Sequence, residues 1–195
     1  MSTTSHPRLP AAGTPAGSTE TRLVVVRGNS ASGKSSVAAG IRDRFGRGLA
    51  VVAQDNLRQI VLRERDRPGG ANIGLIDTVA RYALGAGYHV VIEGILYADH
   101  YGEMLQRLVD DHRGITHCYY LDIPIDETLV RHASKTDPEY LAAAVTEREL
   151  RDWYRERDVL PGGIETVIGS ESTLRDTVDR IMRETALSEL PARDG

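Results

Sequence analysis

The stretch Leu23-Val24-Val25-Val26-Arg27-Gly28-Asn29-Ser30-Ala31-Ser32-Gly33-Lys34-Ser35-Ser36-Val37 joins a short run of branched apolar residues to a complete G-x-x-x-x-G-K-[ST] sequence. Each fixed position in that sequence has a physical job. The glycines let the backbone wrap with its N–H groups pointing inward, which makes a nest for phosphate oxygens. Lys34 is placed to reach the β- and γ-phosphates, and the Ser35 hydroxyl to ligate Mg²⁺. Gly28, Asn29, Ser30, Ala31, Ser32, Gly33 and Ser36 complete the expected nucleotide cradle. A helix that follows such a loop aims its positive end at the same anion. The pattern arises by chance in roughly one chain of this length per hundred, so its context decides. Leu23 to Val26 suits a strand buried on both faces. Val37, Ile41 and Phe45 recur at helical spacing, and Gly46 and Gly48 supply a stop. Strand, loop, helix is the order the motif demands.

Outward from that unit, apolar strand-like runs alternate with helical patterns. Further strands are expected at 49–53, 88–92, 116–121 and 165–168, and helices at 56–65, 73–84, 101–110 and 174–186. Strands separated by helices imply right-handed crossovers and a parallel sheet covered on both faces. The expected fold class is therefore α/β, a three-layer α/β/α P-loop NTPase with a five-stranded parallel sheet. The long polar stretch 126–157 is expected to form a helical lid. Residues 1–20, rich in Ser, Thr, Pro, Ala and Gly, are read as a disordered tail, 21–187 as one domain and 188–195 as a flexible end.

A net charge of −4 and a pI near 5.9 argue against a nucleic-acid partner, which needs a basic footprint. The single cysteine, Cys118, lies in an apolar run and fits a reducing compartment. No apolar stretch approaches membrane-spanning length, and no signal-peptide core precedes the first strand. These features suit a cytoplasmic protein that is not associated with membranes. His89, His100, His112, His117 and His132 show no metal-ligand spacing.

In a sheet of this type ligands gather beyond the carboxyl ends of the strands. After the second strand comes Gln54-Asp55-Asn56-Leu57-Arg58, after the third Glu93-Gly94, and after the fourth Asp122. Phosphoryl transfer needs a carboxylate to orient and deprotonate the attacking hydroxyl, and Asp55 is the expected general base. Asp55 would equally cap a helix opening at Asn56. Arg58, one turn on, is expected to fix the acceptor or pair with Asp55. Glu93 ends a buried run, where an acid is costly without a partner. It could hold a water of Mg²⁺ or bond an acceptor hydroxyl; the bland alternative is a loop glutamate. In the lid, Arg131, His132 and Lys135 fall on one expected helix. Arg148, Arg151 and Arg155 share a face of another at i, i+3, i+7. Arginines arriving with a closing lid would neutralise the transferring group; ordinary Glu/Arg pairing on a solvated helix is the competing use. Two further segments, Asp66-Arg67-Pro68-Gly69 and Ser134-Lys135-Thr136-Asp137, mimic GTPase switch motifs but follow no apolar strand, so a regulatory GTPase is rejected.

Over roughly 23–181 the chain resembles the zeta-toxin-like and chloramphenicol-phosphotransferase-like P-loop kinases. The resemblance rests on Gly28 to Ser35, on Gln54-Asp55-Asn56-Leu57-Arg58, on Val91-Ile92-Glu93-Gly94 and on Arg131. It implies that Asp55 is the general base and Glu93 an acceptor-site acid, and the Asp55/Arg58 pair is similar to one in bacteriophage polynucleotide kinase. It also implies an adenine site near Gly169-Ser170-Glu171-Ser172. The chain is shorter than typical zeta toxins, and its lid matches no one subfamily. The expectation is a kinase that uses ATP and Mg²⁺ to phosphorylate a hydroxyl of a small molecule such as a nucleoside, sugar nucleotide or antibiotic. Its catalytic set would be Lys34, Asp55, Arg58, Glu93, Arg131, Arg148 and Arg151. A polynucleotide 5′-hydroxyl kinase, a toxin acting on a sugar nucleotide and a non-catalytic nucleotide-binding module remain as alternatives.

Overall fold

The computed structural model describes residues 13–134 and 145–192. Five parallel strands form one sheet in the order β2-β3-β1-β4-β5. They are β1 (Arg22–Gly28), β2 (Leu49–Ala53), β3 (His89–Gly94), β4 (Ile115–Asp122) and β5 (Glu165–Gly169). The helices are α1 (Lys34–Phe45), α2 (Ala71–Gly85), α3 (Ala98–Asp111), α4 (Ile125–Ala133), α5 (Glu147–Trp153) and α6 (Leu174–Glu184). Every residue of β1 is buried, as expected for the central strand of a sheet covered on both sides. Its alternation sorts the core into two layers. Leu23 and Val25 face Ile76, Leu84, Met104 and Leu105 of α2 and α3. Val24 and Val26 face Val37 and Ile41 of α1 and Val178 and Ile181 of α6. The expected three-layer fold is therefore present, with strand and helix ends shifted by a few residues.

Chain order places the crevice. The chain leaves β1 for β2, returns through β3 and then crosses β1 to β4, so helices depart to opposite faces beside β1. Ligand-binding crevices form at that reversal, beyond the carboxyl ends of the strands.

Three expectations change. Residues 13–20 are not a tail: Ala16 is buried, its N–H donates to the Asp111 carbonyl at 2.9 Å, and the Gly13 N–H donates to Asp111 Oδ1. Small residues there pack against the end of α3, which composition reads as disorder. At the other end, residues 187–189 form a 3₁₀ turn with Leu187 buried and Leu190 packed on the core. The first 12 and last 3 residues, like Lys135, Thr136 and Asp137, lie outside the described residues. Finally, the segment after β2 is a π-helix, Asn56–Val61, rather than a longer α-helix over 56–65.

Candidate active site

The phosphate loop spans the gap between β1 and α1. Its geometry needs glycine at Gly28, where φ is +147° and a Cβ would lie 2.7 Å from the Leu121 carbonyl oxygen. Gly33, at φ +102°, opens α1 without a side-chain cap, and the first turn carries no acid. A helix start of this kind suits an anion. Lys34 is buried and donates to the Asn29 carbonyl at 2.7 Å, which folds its ammonium back across the loop. Arg131, from α4, donates to the Ser32 carbonyl at 3.0 Å, so the expected lid arginine lies on the loop.

A cavity of about 380 Å³ opens here, within the usual range for small-ligand clefts. It is lined by Gly33, Lys34, Ser35 and Arg131 on one side and by Gly169, Ser170, Ser172 and Leu174 on the other. The turn after β5 and the phosphate loop therefore share one cavity.

Glu93, at the end of β3, pairs in register with Val26, which sets its carboxylate beside the start of α1. Ser35 Oγ donates to Glu93 Oε2 at 3.1 Å. Burial pushes the Glu93 pKa up, Lys34 and the Ser35 hydroxyl pull it down, and the nearby Asp55 charge adds to the rise. The net direction is upward, so burial outweighs the positive neighbour. Gly94 follows because a Cβ there would lie 2.5 Å from Gln54 Cβ.

Asp55 does not cap the helix after it. Its own backbone is helical (φ −64°, ψ −35°), which turns the side chain along the helix. Asp55 Oδ1 instead accepts from Arg58 Nη2 and from Gln59 Nε2, each at 2.8 Å. The Asp55 carboxylate is largely exposed while the Arg58 side chain is mostly covered, and Arg58 Nε is buried without a partner.

Arg148 and Arg151 stand on α5 away from the cavity lining, each exposed and facing an acid one turn away, Asp152 and Glu147 respectively. Arg155 does not share their face, because α5 ends at Trp153 and Tyr154 is extended. Freed from the helix, Arg155 lies against the loop instead. Its N–H donates to Asn29 Oδ1 at 2.9 Å, and its guanidinium sits 3.8 Å from the Tyr97 ring centroid. His132 Nε2 lies 2.8 Å from the Val145 carbonyl, within the lid.

Sequence reasoning missed a polar cluster on the α3 side. Asp66, dismissed with a false switch motif, takes the Gln54 amide at 3.1 Å and the Tyr101 hydroxyl at 2.8 Å, with His100 Nδ1 at 3.4 Å. Gln54 is buried and also donates to the Tyr101 oxygen at 2.7 Å. Burial pushes the Tyr97 hydroxyl up to about 12, so it stays protonated and donates to the Trp153 carbonyl. Arg27 was missed as well. Wholly buried on β1, it forks onto Glu165 at 2.9 Å and reaches Asp158 at 3.0 Å. The signal available for it was an arginine directly after the apolar run Leu23-Val24-Val25-Val26, where a buried charge has to be paired.

Neither a protein-family model nor a curated protein matches the chain. Solved structures do. The APS kinase of Mycobacterium tuberculosis, in complex with AMPPNP and APS, superposes with a TM-score of 0.65 at 19% identity, over 90% of this chain and 99% of that one. A gluconokinase from Sinorhizobium meliloti gives 0.56 at 14% identity, over 88% and 97%. A tunicamycin resistance protein from Deinococcus radiodurans gives 0.58 at 16% identity, over 89% and 99%. At these identities the likeness concerns the fold: the chain has the three-layer α/β architecture of the P-loop kinases it superposes on.

Proposed function

We propose that the protein is an ATP- and Mg²⁺-dependent kinase that transfers the γ-phosphoryl group to a hydroxyl of a small molecule. The observation that carries this reading is the Ser35–Glu93 hydrogen bond at the mouth of the phosphate loop, with Asp55 close enough for its charge to act on Glu93. A module that only held nucleotide would have no need of two carboxylates there. The gluconokinase and APS kinase among the structural neighbours add support for a small acceptor.

A hydroxyl beside a carboxylate is a hard-oxygen donor set, which suits Mg²⁺ sharing its shell with phosphates and water. Ser35 and Glu93 would hold that ion, which supplies charge neutralisation on the phosphate oxygens. The loop amides and Lys34 bind the phosphates, and Arg131 lies over the same loop. Asp55 takes the proton of the acceptor hydroxyl as its oxygen bonds to phosphorus and the bond to the ADP oxygen breaks. Arg58 orients Asp55 through the bond between them. The Asp66–Gln54–Tyr101 cluster supports the acceptor side behind it.

The test is a coupled ADP-release assay with ATP and Mg²⁺ against nucleosides, sugar nucleotides and hydroxylated antibiotics. Wild type and Asp55→Asn run side by side. An acceptor that accelerates release in wild type, with turnover roughly 10² or more lower in Asp55→Asn and ATP binding kept, supports the reading. Full turnover in the variant removes Asp55 from the mechanism. ATP binding with no acceptor-dependent release moves weight to a polynucleotide acceptor or a binding module.

A further inference from the structure

Asn29 occupies the second position of the phosphate loop, and its two ends face different ways. Its main-chain carbonyl accepts the Lys34 ammonium at 2.7 Å, inside the nest. Its side-chain amide is turned out of the nest and closes a two-bond clasp on one residue. Nδ2 donates to the Arg155 carbonyl at 2.8 Å, and Oδ1 accepts from the Arg155 N–H at 2.9 Å. A primary amide makes that pair of bonds to the N–H and C=O of one residue as a neighbouring strand would. Both donor and acceptor functions are used, so no other side chain of similar size reproduces it.

The clasped residue reaches the opposite wall. The Arg155 guanidinium lies on the Tyr97 ring and pairs with Asp99 at 2.5 Å. Tyr97 directly precedes α3 and donates to the Trp153 carbonyl at 2.7 Å. The Tyr97 ring meets His100 edge-on at 5.5 Å, and His100 Nδ1 lies 3.4 Å from Asp66, which sets that ring beside the Asp66 cluster. Downstream, Asp158 is fixed by Arg27 and by a bond from its N–H to the Tyr120 hydroxyl. So the segment 153–158 is tied at its far end to the sheet and at its near end to the phosphate loop, through Asn29.

We infer that Asn29 is a positioning residue whose side-chain amide carries nucleotide occupancy at the phosphate loop to Arg155, and through Arg155 to the Tyr97 wall. This rests on the phosphate-loop part of the kinase reading. Phosphate oxygens compete with the Asn29 carbonyl for Lys34. When they take Lys34, that carbonyl loses the shorter of its two donors and keeps the Ser32 N–H at 3.2 Å; the peptide carrying it turns towards Ser32, and the clasp passes the turn to Arg155. Binding at one site thereby changes the other by a differential contact rather than by proximity alone.

Trp153, the one tryptophan of the chain, is half-exposed two residues from Arg155 and reports the segment without a label. The experiment titrates the full chain with AMPPNP and Mg²⁺, follows Trp153 emission, and measures occupancy separately by equilibrium dialysis. Wild type is expected to change its emission as it fills. Asn29→Ala is expected to lose that change at matched occupancy, and Arg155→Ala to keep it, because the main-chain bonds survive. Full response in Asn29→Ala, or a wild type that fills silently, overturns the proposal. If Asn29→Ala does not fold, Arg155→Pro against Arg155→Ala reads the same clasp from the other side, since proline lacks the N–H; equal responses overturn it. No AMPPNP binding by folded wild type sinks the kinase reading itself, a different failure from silent binding.

Discussion

Replacing Glu93 by Gln should stabilise the empty protein while disabling it. Glu93 is 6% exposed, and its neighbours do not repay the burial of its charge. Burial is the largest influence on its pKa, ahead of Lys34 and the Ser35 hydroxyl, and Asp55 pushes the same way as burial. The folded state therefore favours the protonated acid more than the unfolded chain does. A group shifted up in this way contributes stability below its ordinary value of 4.5 and loses it as pH rises through the folded value. Gln keeps the shape and still accepts from Ser35, but it carries no charge to bury. At pH 8 the variant should gain about 1 kcal/mol, a rise of roughly 2–4 °C in Tm for a chain of this size. The gap should narrow as pH falls, because burial makes the wild-type acid take up its proton at a higher pH than an exposed glutamate does. Mg²⁺ with AMPPNP should reverse the order, because the carboxylate is what the ion requires. Scanning calorimetry at several pH values, with and without ligand, measures all three. A variant less stable than wild type at pH 8, or a gap that does not change with pH, refutes the reasoning.

Lys34→Ala should weaken nucleotide binding and turnover together, measured by calorimetric titration and the ADP-release assay; an unaffected rate undoes the phosphate-loop argument. Arg27→Ala leaves the buried Glu165 carboxylate without its cationic partner and should cost about 3–5 kcal/mol in urea unfolding. Adding Glu165→Gln should recover part of that loss, and no recovery would mean that packing, not the charge, was at stake. His112, held between Thr21 and Thr116 hydroxyls, is pushed down to about 4 chiefly by burial and then by Arg22. As the folded state prefers the neutral ring, its contribution is complete above pH 6.5 and fades as pH falls towards 4, by up to about 3 kcal/mol. His112→Asn should flatten that part of the stability profile, which a pH series of urea midpoints would show.

The fold was legible because its information is local. Val24, Val25 and Val26 say "buried strand" without reference to anything distant, and Gly28 to Ser35 fix what must follow. Residues 13–20 misled for the same reason: Ala16 is covered only because α3 happens to pass over it, and short-range composition carries no trace of that. The site divides along this line too. Ser35 stands in the first turn of α1, Glu93 and Asp55 at or just after strand ends and Arg131 on the first lid helix, where topology alone gathers them. Arg155 needed a break in α5 that its spacing from Arg148 and Arg151 does not reveal. Asp66 needed Gln54, Tyr101 and His100, which come from two other elements. On the proposed kinase reading those residues lie on the acceptor side, so the residues proposed for the chemistry are local in the sequence and those proposed for the acceptor are not. A fold that fixes its phosphate loop in one contiguous motif leaves the acceptor wall free to vary, provided that some residue still connects the two. In this chain Asn29 makes that connection, because it belongs to the motif by position and to the wall by its side chain.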